Sequence, residues 1–402
     1  MKKTIAQTGR RSRFARLGSA VGGSAMGRGG SGVLVPPAVY SSLRAPGGYG
    51  RTAAAVGAHT HVHNALTSLL NDDHTQYLLA PRAKLRIVAP AGAPYTSPKT
   101  AIEACDAGDM VLILGGTYTL IAAVTFPADN IAVVGASRDA TVLNFTTADA
   151  NNCLNLNGKD GCRLCHFKIQ AAAAKTGHGI YGDTCHDTLI DDVYVDGLAS
   201  EGNPIILTGG DRNTIANCRI VTDSRWGIQL GDGDNNRIQF CDLIINGVSV
   251  AGYAVGIYVL GDHSHIVGNM VHGTGASLQV LCYVKNGVGV IFANNNIIAD
   301  DPSGTIGIVR FRANGADLSD SQIAYNRIQG AGNAGYGIKL ESDVGDVADN
   351  NLIAGNLVID MATGIVLNDA RVSETLVHGN HLQSCTNSVV DAGTNTTQAD
   401  NT

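Results

Sequence analysis

Charge is scarce in this chain: only 15% of its 402 residues are Asp, Glu, Lys or Arg, aromatics make up 5%, and Trp226 is the lone tryptophan. That excludes a helical bundle or coiled coil, which draws heavily on Glu, Lys, Leu and Arg. No apolar run reaches about 18 residues, so no membrane-spanning helix is expected. Acidic residues are missing ahead of Asp72, where nine basic ones stand, leaving 19 basic against 34 acidic residues for the remainder. The nine cysteines are odd in number and scattered, which rules out complete pairing within one chain. Cys162 and Cys165 form a C-x-x-C pair, but no second pair follows at zinc-finger spacing, so buried free thiols are expected. What the chain does have is glycine, 50 residues, and 44% hydrophobic residues, enough for a large core and too many for wholesale disorder.

The basic, Gly-rich leading arm suits docking onto an acidic protein surface or nucleic acid. Arg10-Arg11 with Phe14 faintly echoes a twin-arginine signal, yet Gly18, Gly22 and Gly23 break the apolar segment such a signal needs. No export signal is expected. The last stretch, residues 391–402, reads as a short polar tail with no room for a separate receptor-binding domain.

From about residue 150 a short phrase recurs: apolar, two variable residues, Asn or Cys, one variable residue, apolar. Its fourth position runs Phe167, Val193, Cys218, Cys241, Asn269, Asn295, Asn326, Asn356 and Asn380. A second column marks the same rungs with Gly179-Ile180, Gly227-Ile228, Gly256-Ile257, Gly307-Ile308, Gly337-Ile338 and Gly364-Ile365. A period near 26 residues with apolar strands of a few residues is too short for a helix-pair repeat, and the Leu-x-x-Leu-x-Leu pattern of a leucine-rich horseshoe is missing. Each unit reads as one turn of an all-β, right-handed parallel β-helix (a solenoid), with rungs about 4.8 Å apart and identical side chains stacked. Nine turns give a regular stack of roughly 40 Å. The Asn column is expected to bond the backbone of its own turn and the amide of its neighbour, with Cys218 and Cys241 as small buried substitutes. Ahead of the repeats, Ser97 and Pro98 open a short helix carrying Ala101, Ile102 and Cys105 on one apolar face, ended by Gly108. Laid over the open end, it caps the stack.

This capping passage and the segment Phe126 to Ser137 resemble the pectin-lyase-like superfamily, which includes many phage tailspikes. The resemblance spans about residues 96–390 and speaks to fold more than function. Residues 66–79, "LTSLLNDDHTQYLL", look like a segment that recurs in phage tail fibres and tailspikes, where it belongs to a homotrimeric stalk. Leu66, Leu69, Leu70 and Tyr77 share one helical stripe too short to stand without copies of itself. The implied domains are an arm for virion attachment (1–57), a collar (58–90), the β-helix (91–390) and the tail. The implied role is a homotrimeric virion protein, made in the host cytoplasm, which binds tail or baseplate proteins through its arm and host polysaccharide through its shaft. Two alternatives are a polysaccharide lyase or glycoside hydrolase of the same superfamily, and a capsid decoration protein.

Three histidines alternate in the collar: His59, His61 and His63 face one side if the chain is extended there. Around a threefold axis two of these positions supply six nitrogens, an octahedral set for a transition metal, and similar H-x-H pairs in phage fibres hold iron. Polygalacturonase-like motifs are present only out of order: Gly177-His178-Gly179 precedes Asp191-Asp192, and Arg237-Ile238-Gln239 lacks the lysine. A row of Gly-Asp corners is the better catalytic candidate. Gly182-Asp183, Gly210-Asp211, Gly231-Asp232 and Gly261-Asp262 are expected at matching places, joined by Asp234, His263 and His265. Stacking would bring Asp211, Asp232, Asp234 and Asp262 to about 5 or 10 Å from one another, which brackets glycosidase geometry, and crowding would raise one carboxyl's pKa or hold calcium. Gly-Asp is also an inert corner in many β-rich proteins. Aromatics are too few for a broad sugar-stacking groove to be expected.

Overall fold

The structure, a computed structural model, describes residues 83–172, 176–198, 202–223, 226–246, 255–274, 280–300, 307–331 and 335–402. The basic arm and the collar up to residue 82, with Leu66, Tyr77 and the three alternating histidines, lie outside the described residues.

Alternation of apolar and polar residues in short strands is what a coil needs to bury one face of every strand, and three long parallel sheets result. Sheet A holds thirteen strands, sheets B and C eleven each, and a fourth, four-stranded sheet widens the corner from C to A in the later coils. Within each full coil the chain runs A, B, C. Every pairing is parallel and joins a strand to its counterpart one coil later, as Ile190 with Ile215 and Ile215 with Ile238. This is the parallel β-helix expected from the repeat, with one short helix among the described residues. It is longer than the nine-turn reading. The strand Leu85–Val88 already belongs to sheet A, inside the segment read as collar. The strand Thr397–Ala399, inside the polar tail, pairs with Leu376–His378 and closes that sheet. Twelve spacings along sheet A correspond to roughly 58 Å.

Stacking of like on like supplies the core. On sheet A the inward ladder runs Val111, Val133, Leu164, Ile190, Ile215, Ile238, Ile266, Phe292, Ile323, Ile353, Val377, all buried. Phe292 meets Phe311 of sheet C edge to face, 6.0 Å between centroids. At the N-terminal end helix α1 (Pro98–Glu103) packs Pro98, Ala101 and Ile102 inward. Ser97 occupies its N-cap without a side-chain bond, and the helix stops at Glu103, before Gly108. Beside it Arg86 and Asp109 form a buried ion pair, and Asp109 also accepts the Lys84 and Asp106 amides.

The asparagine column is a continuous ladder at the corner between sheets A and B. Nδ2 of Asn269, Asn295, Asn326, Asn356 and Asn380 each donates to Oδ1 of the residue one coil on, at 2.9–3.0 Å, ending on Asn401. Each Nδ2 also reaches a carbonyl of the preceding coil, such as Asn326 to Phe292, rather than its own turn. Cys218 and Cys241 fill the same column as buried thiols, and the Cys241 Sγ contacts Ile215 O where an amide would donate. A second, shorter asparagine pair, Asn213 and Asn236, braces the corner between C and A.

Candidate functional site: a cleft on sheet C

The Gly-Asp row divides on inspection of the register. Asp183 lies on a sheet C strand, paired with Thr208, whose hydroxyl it accepts at 2.9 Å. Asp232 sits in left-handed backbone (φ 32°), outside the column that Asp211, Asp234 and Asp262 share. In that column each side chain accepts the backbone N–H of the next coil: Asp160 from His186, His186 Nδ1 from Asp211, Asp211 from Asp234, Asp234 from Asp262, and Asp262 from Val288, at 2.8–3.1 Å. A histidine substitutes for a carboxylate there because both present an acceptor. The geometry gives these carboxylates a corner-bracing task. Among the described residues no group of three His, Cys, Asp or Glu is placed to hold a metal ion.

The polygalacturonase-like fragments are also apart. His178 stacks on Tyr181 at 5.6 Å and accepts the Asn203 amide, and burial lowers its pKa. Asp192 instead pairs with His166 and Arg138. His265 stands on a sheet A strand between Arg237 and Ile291, its pKa lowered by burial and then by Arg237 and His263.

The outward face of sheet C concentrates chemistry that the sequence reading passed over. In the strands Trp226–Leu230, Val255–Leu260, Cys282–Lys285, Val309–Ala313 and Tyr336–Ser342, the register aligns Gln229, Tyr258, Tyr283, Arg310 and Lys339 in one outward column. Leu260, Lys285, Arg312 and Glu341 form the next. A cleft of about 220 Å³ opens here, lined by Trp226, Tyr258, Tyr283, Lys285, Arg310 and Arg312 with Val255, Val280 and Asn314. Trp226 stacks almost parallel on Tyr258, centroids 5.2 Å apart, and Tyr283 meets Tyr258 edge-on at 5.3 Å. The Arg310 guanidinium lies over the Tyr283 ring at 5.1 Å.

Past Tyr283 the cleft becomes cationic. Arg310 is 8% exposed and pairs with Glu341, itself 7% exposed. Lys339 holds the other Glu341 oxygen at 2.6 Å. Arg312 grips Asp343 through two nitrogens, and Asn314 donates to the same carboxylate. Asp343 is buried enough to favour its neutral form, but the Arg312 and Asn314 bonds outweigh that and leave its pKa below the ordinary value. Burial pushes the Tyr283 hydroxyl up, against the pull of Arg310 and Arg312, so it stays protonated at neutral pH.

Aromatics are few along the strands, as the composition leads one to expect, but three of them converge on one face. Sequence spacing hid this. The Gly-Ile marker slips at Gly307-Ile308, where Val309, not Ile308, takes the rung of Ile257. Two further rungs, at Ile205 and Cys282, carry no glycine before the inward residue. Without the register, Tyr258, Tyr283 and Arg310 do not share a column.

No family model matches the chain, and no curated relative matches it by sequence. Solved structures are similar to it in fold. The Azotobacter vinelandii mannuronan C-5 epimerase AlgE6 A-module aligns at a TM-score of 0.51 with 13% identity, over 76% of this chain and 95% of its own. The Agl-KA catalytic domain aligns at 0.54 with 12% identity, over 80% and 69%. Bacteriophage CBA120 tailspike protein 3 aligns at 0.44 with 12% identity, over 86% and 65%. The first two establish a common β-helical architecture.

Proposed function

We propose that this chain is a virion host-attachment protein, a homotrimeric phage tail fibre or tailspike, whose β-helix binds a host-surface polysaccharide in the sheet C cleft. The observation that carries the reading is the run of stacked aromatics leading into charged groups in the sheet C cleft. Aromatic faces bury the apolar face of a sugar ring, while charged and amide groups at the edges meet its hydroxyls. The collar-like string in residues 66–79 supports the virion role and the trimer. Binding rather than cleavage is the better fit, since the two carboxylates at the edge of the cleft, Glu341 and Asp343, are both committed to ion pairs.

The test uses the chain's single tryptophan. Fluorescence excited selectively at Trp226 should change on titration with surface polysaccharide from a susceptible host, and Trp226→Ala, followed by calorimetry because it has no tryptophan, should abolish binding while leaving the melting temperature in place. Light scattering should give the mass of three chains. A monomer, or polysaccharide binding that survives Trp226→Ala unchanged, would overturn the reading.

A further inference from the structure

Resting on the polysaccharide-binding reading above, we infer that the cleft takes an acidic glycan, oriented so that a carboxylate-bearing sugar lies at the Lys285 end and an uncharged ring lies against Trp226, the partly buried ring that covers Tyr258. Charge is the first ground. From Asp72 onward the chain is strongly acidic, yet among the described residues the cleft and its edge gather four cations, Lys285, Arg310, Arg312 and Lys339, against two carboxylates. A cationic spot on an acidic body serves an anion, because every neighbouring surface repels the same ligand.

The second ground is which cation is left over. Arg310 and Lys339 share the single charge of Glu341, and Arg312 pairs with Asp343, so each of these three is held by a carboxylate while one positive charge among them stays uncompensated. Lys285 makes no ion pair among the described residues. Its neighbours in the outward column are Leu260 on one coil and Arg312 on the next, so no carboxylate faces it across either strand. Holding an ammonium beside a guanidinium costs free energy that a ligand anion would recover. Meanwhile Glu341 and Asp343 fix the two arginines in place, so the anion meets donors that are already ordered.

The third ground is spacing. From the rung of Trp226 to that of Arg310 is three steps, about 14 Å, enough for a short oligosaccharide along the shaft but not for a long binding track. Trp226 and Tyr258 carry no charge, and the cations begin only at Lys285, one coil on from Tyr258. One charged sugar in several fits this layout. A strand of nucleic acid, with a phosphate at every nucleotide, would run onto the acidic column of Asp211, Asp234 and Asp262 at the neighbouring corner.

The experiment titrates the full chain, following Trp226 fluorescence, with a panel of acidic bacterial polysaccharide fragments, each also supplied after chemical reduction of its carboxyl groups to alcohols, and with neutral glycans and a dT8 oligonucleotide. The expected result is an acidic member whose affinity falls about tenfold or more on carboxyl reduction and about tenfold in Lys285→Gln, charge-assisted bonds being worth that much. Added salt should weaken that binding too. Arg212→Gln, on the exposed corner where Arg212 pairs with Asp187, should bind like the parent. Equal affinity for a fragment and its carboxyl-reduced form, or loss of binding to both alike in Lys285→Gln, overturns the acidic-sugar inference while leaving polysaccharide binding intact. Preference for dT8 overturns it in favour of nucleic acid. Silence of Trp226 toward every glycan overturns the inference together with the function it rests on.

Discussion

Two columns of this β-helix obey opposite rules. Inside the corner between sheets A and B, the same amide recurs coil after coil, and each copy is bonded to the copies before and after it. On the outside of sheet C the aligned residues are Tyr181, Ile206, Gln229, Tyr258, Tyr283, Arg310, Lys339, Val366 and Val390, where like follows like only from Tyr258 to Tyr283 and from Val366 to Val390. The difference teaches where to look. Repetition marks what holds one rung to the next, and on the proposed function the departure from it marks what faces a ligand. By that rule the recurring aspartates at the C-to-A corner belong with the scaffold, as their bonds to successive backbone amides indicate.

The largest effect should come from breaking the repeated column at its middle. Asn326 accepts both the amide and the side-chain Nδ2 of Asn295, and it donates to Phe292 O and Asn356 Oδ1. Asn326→Leu leaves buried donors and acceptors unmet on both sides, at about 1–3 kcal/mol each, so a loss of about 4–6 kcal/mol is expected by denaturant unfolding. A loss under about 1 kcal/mol would mean the ladder is ornament, and the comparison would fail at its first term.

The buried pair beneath the capping helix ranks next. Asp109→Asn strands the Arg86 charge and should cost about 3–5 kcal/mol. Burial favours the neutral acid, but the Lys84 and Asp106 amides and Arg86 overcome it and hold the Asp109 pKa below its ordinary value. A depressed folded-state pKa contributes stability that is complete above the unfolded carboxyl value, near 3.9, and is lost as pH falls through the folded one. Unfolding stability measured from pH 6 to pH 2 should therefore drop below about pH 4 in the parent chain, and Asp109→Asn should flatten part of that drop. An unchanged acid profile would show that the pair does not anchor this end.

The scaffold was legible in the sequence because its parts repeat. Ile215, Ile238, Ile266 and Phe292 start phrases whose spacing alone places them on one inward ladder, and Asn269 to Asn380 follow. The first coils were harder to read, since Val111 and Val133 stack without any asparagine to mark the corner, so the helix begins earlier than the repeat does. At the other end Asn401 extends the ladder into what looks like a polar tail. The cleft was illegible for a physical reason. Tyr258 and Tyr283 stand one coil apart, but Trp226, Lys285 and Arg310 beside them differ in type, so no recurring phrase marks these residues as one column. The acidic row misled in the reverse way, because Gly-Asp dipeptides recur at several corners, and only the register separates Asp183 and Asp232 from Asp211.

Asp234 sharpens the contrast at a smaller scale. Its carboxylate accepts the Asp262 amide at 3.0 Å in an exposed setting, where water can replace it. Asp234→Ala should cost about 0.5–1.5 kcal/mol, and Asp234→Asn, which keeps the acceptor, less than that. Neither should alter glycan binding at Trp226. A glycan affinity that collapses in Asp234→Asn while stability holds would move this column from scaffold to site.

Last, backbone shape is set against a covering ring, and Gly268→Asn should show the smallest effect. At the outer corner between sheets A and B the residue before the ladder position is left-handed in coil after coil: Asn217 (φ 53°), Phe240 (55°), Gly268 (71°), Asn294 (56°), Tyr325 (56°) and Gly355 (64°). Asparagine tolerates that conformation better than most residues, so Gly268→Asn keeps the fold's dihedral requirement while reducing the freedom of the unfolded chain. Against this, a Cβ on Gly268 would lie 2.6 Å from the Phe240 ring, which covers it. Phe240 is 60% exposed and can swing outward, so the two terms should nearly cancel, within about 0.5 kcal/mol. Gly268→Ala lacks the tolerance of asparagine and should cost about 1–2 kcal/mol instead. If both substitutions cost the same, the ring and not the dihedral decides the corner. The alternation of Phe240 over Gly268 and Tyr325 over Gly355 would then be a packing device of its own, a second repeated column on the outside of the shaft.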